Sequence, residues 1–299
     1  MGTPEFAVPI LKKIYKSEHK VLSVFTQPPK KSKRGQKFNI SPVHQIANKL
    51  NINIKYPENL NDENEYKFIQ NLNPDVVVVV AYGKMIPTKI LSIQNIKFLN
   101  IHASILPRWR GAAPIQRAII DMDSETGVSI MKIVSELDAG PYMLQEKIKI
   151  EKNDNYSTLS NKLSILGSEL ILKSLKLIEE KNYSFTDQDE NKVTYAKKID
   201  KLESKINWDM PSRNIIAKIN GLTPNPGVWF NHNNSRLKII KAVEVNQNGE
   251  TGKILDDNLT IACREKAIKV LLIQKEGKKI LSSKEFLAGH KIEKGEKLT

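Results

Sequence analysis

The chain has 299 residues, of which 40% are hydrophobic and 27% charged. This length suits two domains, and the composition is that of ordinary globular proteins. It contains no apolar run long enough to cross a membrane, and its first residues lack the basic and apolar stretches of a secretion signal. A single cysteine excludes a disulfide framework and a cysteine-based metal site within the chain. We therefore expect a cytoplasmic protein.

The net charge is +14, with +5 in residues 1–190 and +9 in residues 191–299. A strongly basic surface fits a polyanionic partner such as nucleic acid. A lysine-rich composition can also spread its charges over solvated faces without any partner, and charge alone leaves both interpretations open. The five histidines show no ligand spacing, so no structural metal is expected.

The first 150 residues alternate short apolar runs with helical patterns. Strands are predicted at residues 21–25, 76–80, 98–101 and 128–134, and helices at 41–50, 61–71 and 114–121. The valine run at 76–80 is typical of a parallel strand that is buried on both faces. This alternation predicts an α/β domain with an open, doubly wound, Rossmann-like sheet, which binds ligands beyond the carboxyl ends of its strands.

A different pattern follows this domain. A long amphipathic helix is predicted at residues 155–180, with Ser174 as the one polar break in its apolar stripe. Residues 195–208 look like a charged connector. Beyond it we predict a helix at 212–219 and short strands at 227–230, 237–245, 259–263 and 268–273, which are typical of a small β-barrel. The predicted domains are residues 1–188 and 208–299, with a linker at 189–207.

Asn100 and His102 end a predicted strand and lie on one face of it, because they are two residues apart. An amide can hold the oxyanion of a tetrahedral intermediate, and an imidazole can move protons near neutral pH, so the pair suits acyl transfer. A lone histidine at a strand end is more often structural or solvated. Asp138, before a Gly-Pro turn, either caps that turn or meets His102 across a cleft.

The segment at residues 100–117 carries a family resemblance. It reads Asn-Ile-His-Ala-Ser-Ile-Leu-Pro and then Arg-Trp-Arg-Gly-Ala-Ala-Pro-Ile-Gln-Arg, and Asp-Ala-Gly follows at residues 138–140. Further motifs are Gly-Thr-Pro-Glu-Phe-Ala at residues 2–7, Ala-Tyr-Gly at 81–83 and Glu-Phe-Leu-Ala-Gly at 285–289. Together these motifs span the chain and resemble the methionyl-tRNA formyltransferase family, one of the folate-dependent formyltransferases.

The resemblance implies transfer of the formyl group of 10-formyltetrahydrofolate to the α-amino group of methionine on initiator Met-tRNA, for translation initiation. It implies that Asn100 holds the oxyanion, that His102 helps to protonate the departing nitrogen, and that Asp138 orients His102. The implied folate-binding residues are Ser104, Ile105, Leu106, Pro107, Tyr82 and Gly83. This chemistry needs no metal, and we expect a monomer.

The resemblance also implies a basic loop that reaches the acceptor stem of the tRNA. Residues 30–37 carry five positive charges, and the predicted tRNA contacts are Lys31, Lys33, Arg34 and Lys37. Lysines would mainly bind phosphates, which makes affinity sensitive to salt. An OB-like C-terminal β-barrel would add a second basic surface. The family leads us to expect an arginine near residues 219–222, where this sequence has none.

The family also begins with a β-strand before Gly-Thr-Pro-Glu-Phe, whereas Met1 directly precedes Gly2 here. We expect that the first strand is missing, either because the start is placed too late or because the chain is truncated. Its two neighbours in the sheet would then have unpaired edges.

Three alternatives stay open. Glycinamide ribonucleotide formyltransferase would not need a basic C-terminal domain. The hydrolase domain of formyltetrahydrofolate dehydrogenase would continue into further domains. A non-catalytic RNA-binding relic would keep the charge, and the intact Asn100, His102 and Asp138 set argues against it.

Overall fold

The computed structural model describes residues 1–32, 37–233 and 235–298. Its helices are α1 (Ala7–Tyr15), α2 (Pro42–Lys49), α3 (Glu63–Leu72), α4 (Thr88–Leu91), α5 (Pro114–Ile120), α6 (Tyr156–Glu179), α7 (Ser212–Leu222) and α8 (Ser283–Gly289). Its strands are β1 (Val24–Phe25), β2 (Lys30–Ser32), β3 (Lys37–Asn39), β4 (Ile54–Lys55), β5 (Val76–Val79), β6 (Lys97–His102), β7 (Arg110–Gly111), β8 (Glu125–Lys132), β9 (Tyr142–Lys149), β10 (Tyr195–Ala196), β11 (Val228–His232), β12 (Ser235–Val245), β13 (Thr260–Ala262), β14 (Ala267–Lys275) and β15 (Ile280–Ser282). A 3₁₀ helix spans Glu190–Lys192.

Contacts between residues divide the chain into two compact units. Unit 1 consists of Met1–Gly111, Thr126–Ile148 and Ser160–Ala196. Unit 2 consists of Ala112–Glu125, Lys149–Leu159 and Lys197–Thr299. Neither unit is one continuous piece of the sequence.

The main sheet of unit 1 has four strands in the order β5-β6-β8-β9. β5 runs parallel to β6, and β8 runs antiparallel to β6. β8 is buried at its six central positions, so neither of its faces is open to solvent. The α/β, Rossmann-like domain that the sequence predicts is confirmed. The antiparallel strand β8 makes its sheet a mixed one, which the sequence pattern did not indicate.

Residues 1 and 2 connect β1 to β5. Gly2 N donates a hydrogen bond to Phe25 O (2.9 Å), and Val80 N donates one to Met1 O (2.9 Å). The Met1 amine donates to Val78 O (2.6 Å), and its burial lowers the pKa of this group to about 5. The two residues pair with both neighbours in the way that the end of a strand would.

A cavity of about 410 Å³ lies between the facing edges of β1 and β5. Residues 21–25 and 74–78 are among its lining residues. Backbone groups alternate in direction along a strand, so Ser23 and Val76 direct N–H and C=O groups to the same side as Phe25 and Val78, toward the cavity. Among the described strands, β1 pairs with β4 and β5 with β6, and only Met1 and Gly2 lie between them.

The helix predicted at residues 155–180 is present as α6. Leu163 and Leu170 are buried on it, and so is Ser174, the polar break in the apolar stripe. The Ser174 hydroxyl donates to Leu170 O (3.0 Å), so its hydrogen-bonding need is met within the helix. Neither α6 nor any other described helix has the length and apolar character of a membrane span.

Unit 2 contains an antiparallel sheet of five strands in the order β11-β12-β14-β13, with β15 beside β14. All the strands predicted after residue 226 are present. Its core includes Trp208, Phe230, Ile239 and Cys263. Burial raises the pKa of the Cys263 thiol to about 12, which leaves the thiol uncharged and unreactive at neutral pH.

Helix α7 packs against α5 within unit 2. A Cβ on Gly221 would lie 2.9 Å from Ile120 Cγ1 and 3.1 Å from Gln116 O, so glycine is what allows the two helices to approach closely. Arg117 of α5 also forms an ion pair with Glu203. The α5 helix therefore contributes to the fold of the C-terminal part of the chain.

The segment predicted as a connector begins with a paired strand. Tyr195–Ala196 forms β10, which pairs in parallel with β7. The partner strand is distant in the sequence, so local composition could not reveal the pairing. β9 is absent from the sequence prediction because all its residues are exposed or half-buried, which leaves no strong apolar pattern.

We expect that four or five apolar, strand-forming residues added before Met1 fill the cavity between β1 and β5. Each residue of a strand advances about 3.3 Å, so such an extension would run along residues 21–25 and 74–78. Burial of its side chains should raise Tm by at least about 5 °C, measured by calorimetry.

A matched extension with proline at alternate positions is the control, because proline cannot donate to the neighbouring strands. Equal Tm values for the two extensions would show that the cavity does not accept a strand.

Candidate active site

Asn100 and His102 lie on β6, which is central in the main sheet of unit 1 and pairs with β5 and β8. Both side chains are directed to the same face, as alternation along a strand requires. The side chain of His102 is 5% exposed. Because β6 is held on both edges, the two polar groups have fixed positions.

Asp138 lies in the connection between β8 and β9 and meets both of these side chains. Asn100 Nδ2 donates to Asp138 Oδ1 (3.2 Å), and the backbone N–H of Gly111 donates to Asp138 Oδ2 (2.9 Å). His102 Nδ1 lies 3.6 Å from Asp138 Oδ2. The structure thus brings the amide, the imidazole and the carboxylate together, as the sequence analysis expected.

Asp138 adopts a left-handed backbone conformation, with φ of 49°. This conformation costs a non-glycine residue about 1–2 kcal/mol. It persists because the carboxylate and the neighbouring carbonyl groups have several partners in the surrounding structure.

Both ring nitrogens of His102 face oxygen atoms. Nε2 lies 2.8 Å from Trp109 O, a group that can only accept, so Nε2 carries a proton. Nδ1 faces the Asp138 carboxylate on the opposite side of the ring. The distance of 3.6 Å between Nδ1 and Asp138 Oδ2 is longer than a hydrogen bond, so the two groups are neighbours without a direct hydrogen bond. An imidazole beside a carboxylate is an arrangement that general acid–base catalysis uses.

Gly140 allows the chain after Asp138 to lie close to β8. A Cβ at this position would lie 1.9 Å from Lys132 O, where the two atoms would overlap. Glycine is therefore the residue that fits here. Lys132 N also donates to Pro141 O (2.9 Å), so this close approach is part of the pairing that ends β8.

The segment at residues 104–107 follows His102 after one intervening residue and is fixed to β8. The Ser129 hydroxyl donates to Ser104 O (2.7 Å) and accepts from Leu106 N (3.1 Å). Gln145 Nε2 donates to Leu106 O (2.8 Å). Ser104 and Leu106 are buried, whereas Ile105 and Pro107 are half-buried. Ile105 and Pro107 are therefore the residues of this segment that a ligand beside Asn100, His102 and Asp138 could contact.

Tyr82 and Gly83 are placed differently from each other. The Tyr82 ring packs in a hydrophobic cluster with Phe25 and Ile69, and burial, followed by the charge of Glu65, raises the pKa of its hydroxyl to about 12. Gly83 is exposed. Of the two residues, Gly83 is the one accessible to a ligand.

The predicted tRNA contacts are only partly described. Lys33 and Arg34 lie outside the described residues. Lys31 and Lys37 belong to β2 and β3, which pair antiparallel to each other. The side chains of Lys31 and Lys37 also lie outside what the structure describes.

One group of possible metal ligands occurs among residues 1–32, 37–233 and 235–298. It consists of Glu18, His19 and Glu179, of which both carboxylates are exposed. Exposed carboxylates commonly occur together without binding an ion, and none of the three touches the Asn100, His102 and Asp138 cluster by a hydrogen bond or ion pair that the structure describes.

The residues that surround Asp138 were not predicted from the sequence. Gln188 donates to the backbone on both sides of Ala139, and Arg110 donates to Gln188. Thr194 binds Trp109, the residue whose carbonyl faces His102. Arg110 lies within the Arg-Trp-Arg motif, and Gln188 lies at the end of the predicted first domain, so neither position carried a local signal for this contact.

The chain matches two domains of one protein family. Residues 1–175 match the formyl transferase domain, and residues 198–291 match the domain described as formyl transferase, C-terminal domain.

Relatives that align over nearly their whole length are named methionyl-tRNA formyltransferase. A methionyl-tRNA formyltransferase from Pelagibacter ubique is 47% identical, over 100% of this chain and 97% of the relative. Another from Parvibaculum lavamentivorans is 40% identical, over 99% of this chain and 97% of the relative. An N-formyltransferase from Helicobacter canadensis, solved with folinic acid and dTDP-3-aminofucose, has a TM-score of 0.67 at 20% identity, over 92% of this chain and 97% of that chain. The last likeness shows a shared fold.

We expect Gly140→Ala to lower the free energy of unfolding by more than about 2 kcal/mol, because the new methyl group would collide with Lys132 O. Denaturant titration measures the change. Gly289→Ala is the matched control, since a Cβ at residue 289 meets no atom within 4 Å among the described residues. A Gly140→Ala protein as stable as the control would contradict this account of the turn.

Proposed function

Because this chain belongs to the formyl transferase family, we propose that it transfers a formyl group from 10-formyltetrahydrofolate to the α-amino group of methionine on initiator Met-tRNA. The observation that carries the proposal is the meeting of Asn100, His102 and Asp138 at the end of β6. Full-length relatives of that name support the choice of acceptor. The product would serve translation initiation in the cytoplasm.

The reaction begins when the neutral amine attacks the formyl carbon. Free α-amino groups have a pKa near 8, so a useful fraction of the amine is neutral at pH 7. The formyl oxygen becomes an oxyanion in the tetrahedral intermediate. Asn100 is the residue to stabilise it, since its amide has two N–H groups and only one is directed at Asp138.

Collapse of the intermediate breaks the bond between the formyl carbon and N10 of the folate. One proton must leave the attacking nitrogen and one must reach N10. His102 can give a proton to N10, and the neighbouring His102 and Asp138 can then take the proton released by the amine, directly or through water. No metal and no covalent enzyme intermediate enters this sequence of steps.

The folate donor would bind beside this cluster. Ile105 and Pro107 are half-buried next to His102 and offer apolar surface, while Ser104 and Leu106 hold their backbone in place. Gly83 is exposed at the end of the valine strand. Tyr82 would act through its backbone position, since its ring is buried in the core.

The tRNA would bind through basic groups in two regions. Residues 30–37 supply one cluster, with Lys31, Lys33, Arg34 and Lys37 as the proposed contacts. The C-terminal residues 208–299, whose five-stranded sheet we assign to an OB-like barrel, would supply the second. The corresponding catalytic domain is residues 1–188, and residues 189–207 would link the two.

His102→Ala and Asn100→Ala should each lower kcat for formylation of Met-tRNA by about 100-fold or more, because each removes a group that stabilises the developing charge or moves a proton. The assay measures formyl-Met-tRNA formed from 10-formyltetrahydrofolate. His19→Ala is the matched control, since this histidine lies outside the cluster and should leave kcat unchanged. Full activity without His102 would rule out the proposed proton transfer.

The Michaelis constant for tRNA should rise steeply with salt concentration, and that for the folate should not, because phosphate contacts release counterions. Lys33→Ala and Arg34→Ala should each reduce the slope of the logarithmic salt plot by about one. Lys176→Ala on α6 is the control and should keep the original slope. A flat plot for the unaltered protein would remove the electrostatic role of residues 30–37.

A further inference from the structure

The side chain of Gln188 connects two parts of unit 1 that meet at the cluster. Its Nε2 donates to Asp138 O (2.8 Å) and to Gly140 O (2.7 Å). Its Oε1 accepts from Arg110 Nε (2.9 Å). Gln188 is 8% exposed, so water does not compete freely for these three hydrogen bonds.

Arg110 fixes the other end of this connection. Its side chain is 1% exposed, and Nη2 donates to Glu190 Oε1 (2.7 Å). Its backbone N–H donates to Thr194 O (2.9 Å), next to the pairing of β7 with β10. A guanidinium that is held in this way cannot move without breaking several hydrogen bonds, so it gives Gln188 a rigid support.

The two bonds donated by Gln188 act on the backbone that sets the direction of the Asp138 side chain. The two carbonyl groups belong to residues 138 and 140, on either side of Ala139. Residue 138 has the left-handed conformation described above. Fixing both carbonyl groups fixes the turn, and the turn determines where the carboxylate lies relative to Asn100 and His102.

We propose that Gln188 is a positioning residue of this site, which acts by holding Asp138 in the geometry that the reaction needs. The proposal rests on the catalytic role given to Asp138 above. Arg110 and Glu190 support Gln188. Arg110 donates to the amide oxygen of Gln188, and Glu190 accepts from Arg110, so the amide is prevented from rotating. Gln188 itself binds backbone atoms and one arginine, and touches no reacting group.

The donation from Nε2 to the turn is the function that two different substitutions can remove. Gln188→Met keeps the length of the side chain and removes all three hydrogen bonds. Gln188→Glu keeps an acceptor for Arg110, but it places a carboxylate oxygen against the carbonyl oxygens of residues 138 and 140. Both variants lose the donation to the turn, so both should show the same defect.

The experiment measures kcat and both Michaelis constants for Gln188→Met, Gln188→Glu, Asp138→Asn and the Gln188→Met/Asp138→Asn double variant. Each Gln188 variant should lower kcat about 10- to 100-fold, since displacing a reacting group by about 1 Å has an effect of this size. The Michaelis constants should change less than about threefold. In the Asp138→Asn background, Gln188→Met should lower kcat less than about twofold further, because its effect passes through Asp138.

Leu170→Ala controls for loss of stability alone. It leaves a cavity beside the buried face of α6 and should lower Tm with no change in kcat. Independent, multiplicative losses in the double variant would overturn the proposal, because Gln188 would then act without Asp138. Full kcat in both Gln188 variants, with Asp138→Asn impaired, would overturn it while leaving the proposed function intact. Full kcat in Asp138→Asn would overturn the role of Asp138 itself, and the positioning role with it.

Discussion

The Asp138 carboxylate is the interaction on which the site depends. It accepts from the Asn100 amide and from the backbone N–H of Gly111, and it faces His102 Nδ1. A carboxylate that is largely removed from water is costly unless such donors surround it. These contacts connect β6, β7 and the turn after β8. The Asp138 carboxylate is stabilised only when these three parts of the chain meet.

The surrounding fold makes this meeting possible through backbone contacts. β6 is paired on both edges, and β7 is held by β10, whose neighbouring residue Thr194 also binds Trp109. The carbonyl of Trp109 in turn faces His102. The residues around 188–196 therefore support both the histidine and the aspartate, although they lie well beyond both in the sequence. A part of the chain that resembles a linker by its composition contributes to the order of the candidate site.

The sequence predicted what depends on local periodicity and missed what depends on distant pairing. The shared face of Asn100 and His102 follows from alternation along one strand, and strands β5, β6 and β8 follow from their apolar runs, although three of the four β5 residues are half-buried where the valine run predicted full burial. The contacts of Gln188 and Arg110 could not be predicted, because a polar residue shows no preference for a partner until the fold places one beside it. A motif match also gives no side-chain direction. Tyr82 belongs to a family motif, yet its ring lies in the core.

The contact between α5 and α7 has a practical consequence for anyone who divides this protein into fragments. A gene piece that starts at residue 198 or 208 would encode α7 and the five-stranded sheet but would omit α5. Ile120 and its neighbours would then no longer cover the surface next to Gly221, and apolar groups that belong in the interior of unit 2 would meet solvent. Such a fragment would tend to aggregate. A well-behaved C-terminal fragment would have to carry residues 112–125 as well, rejoined through an artificial connection.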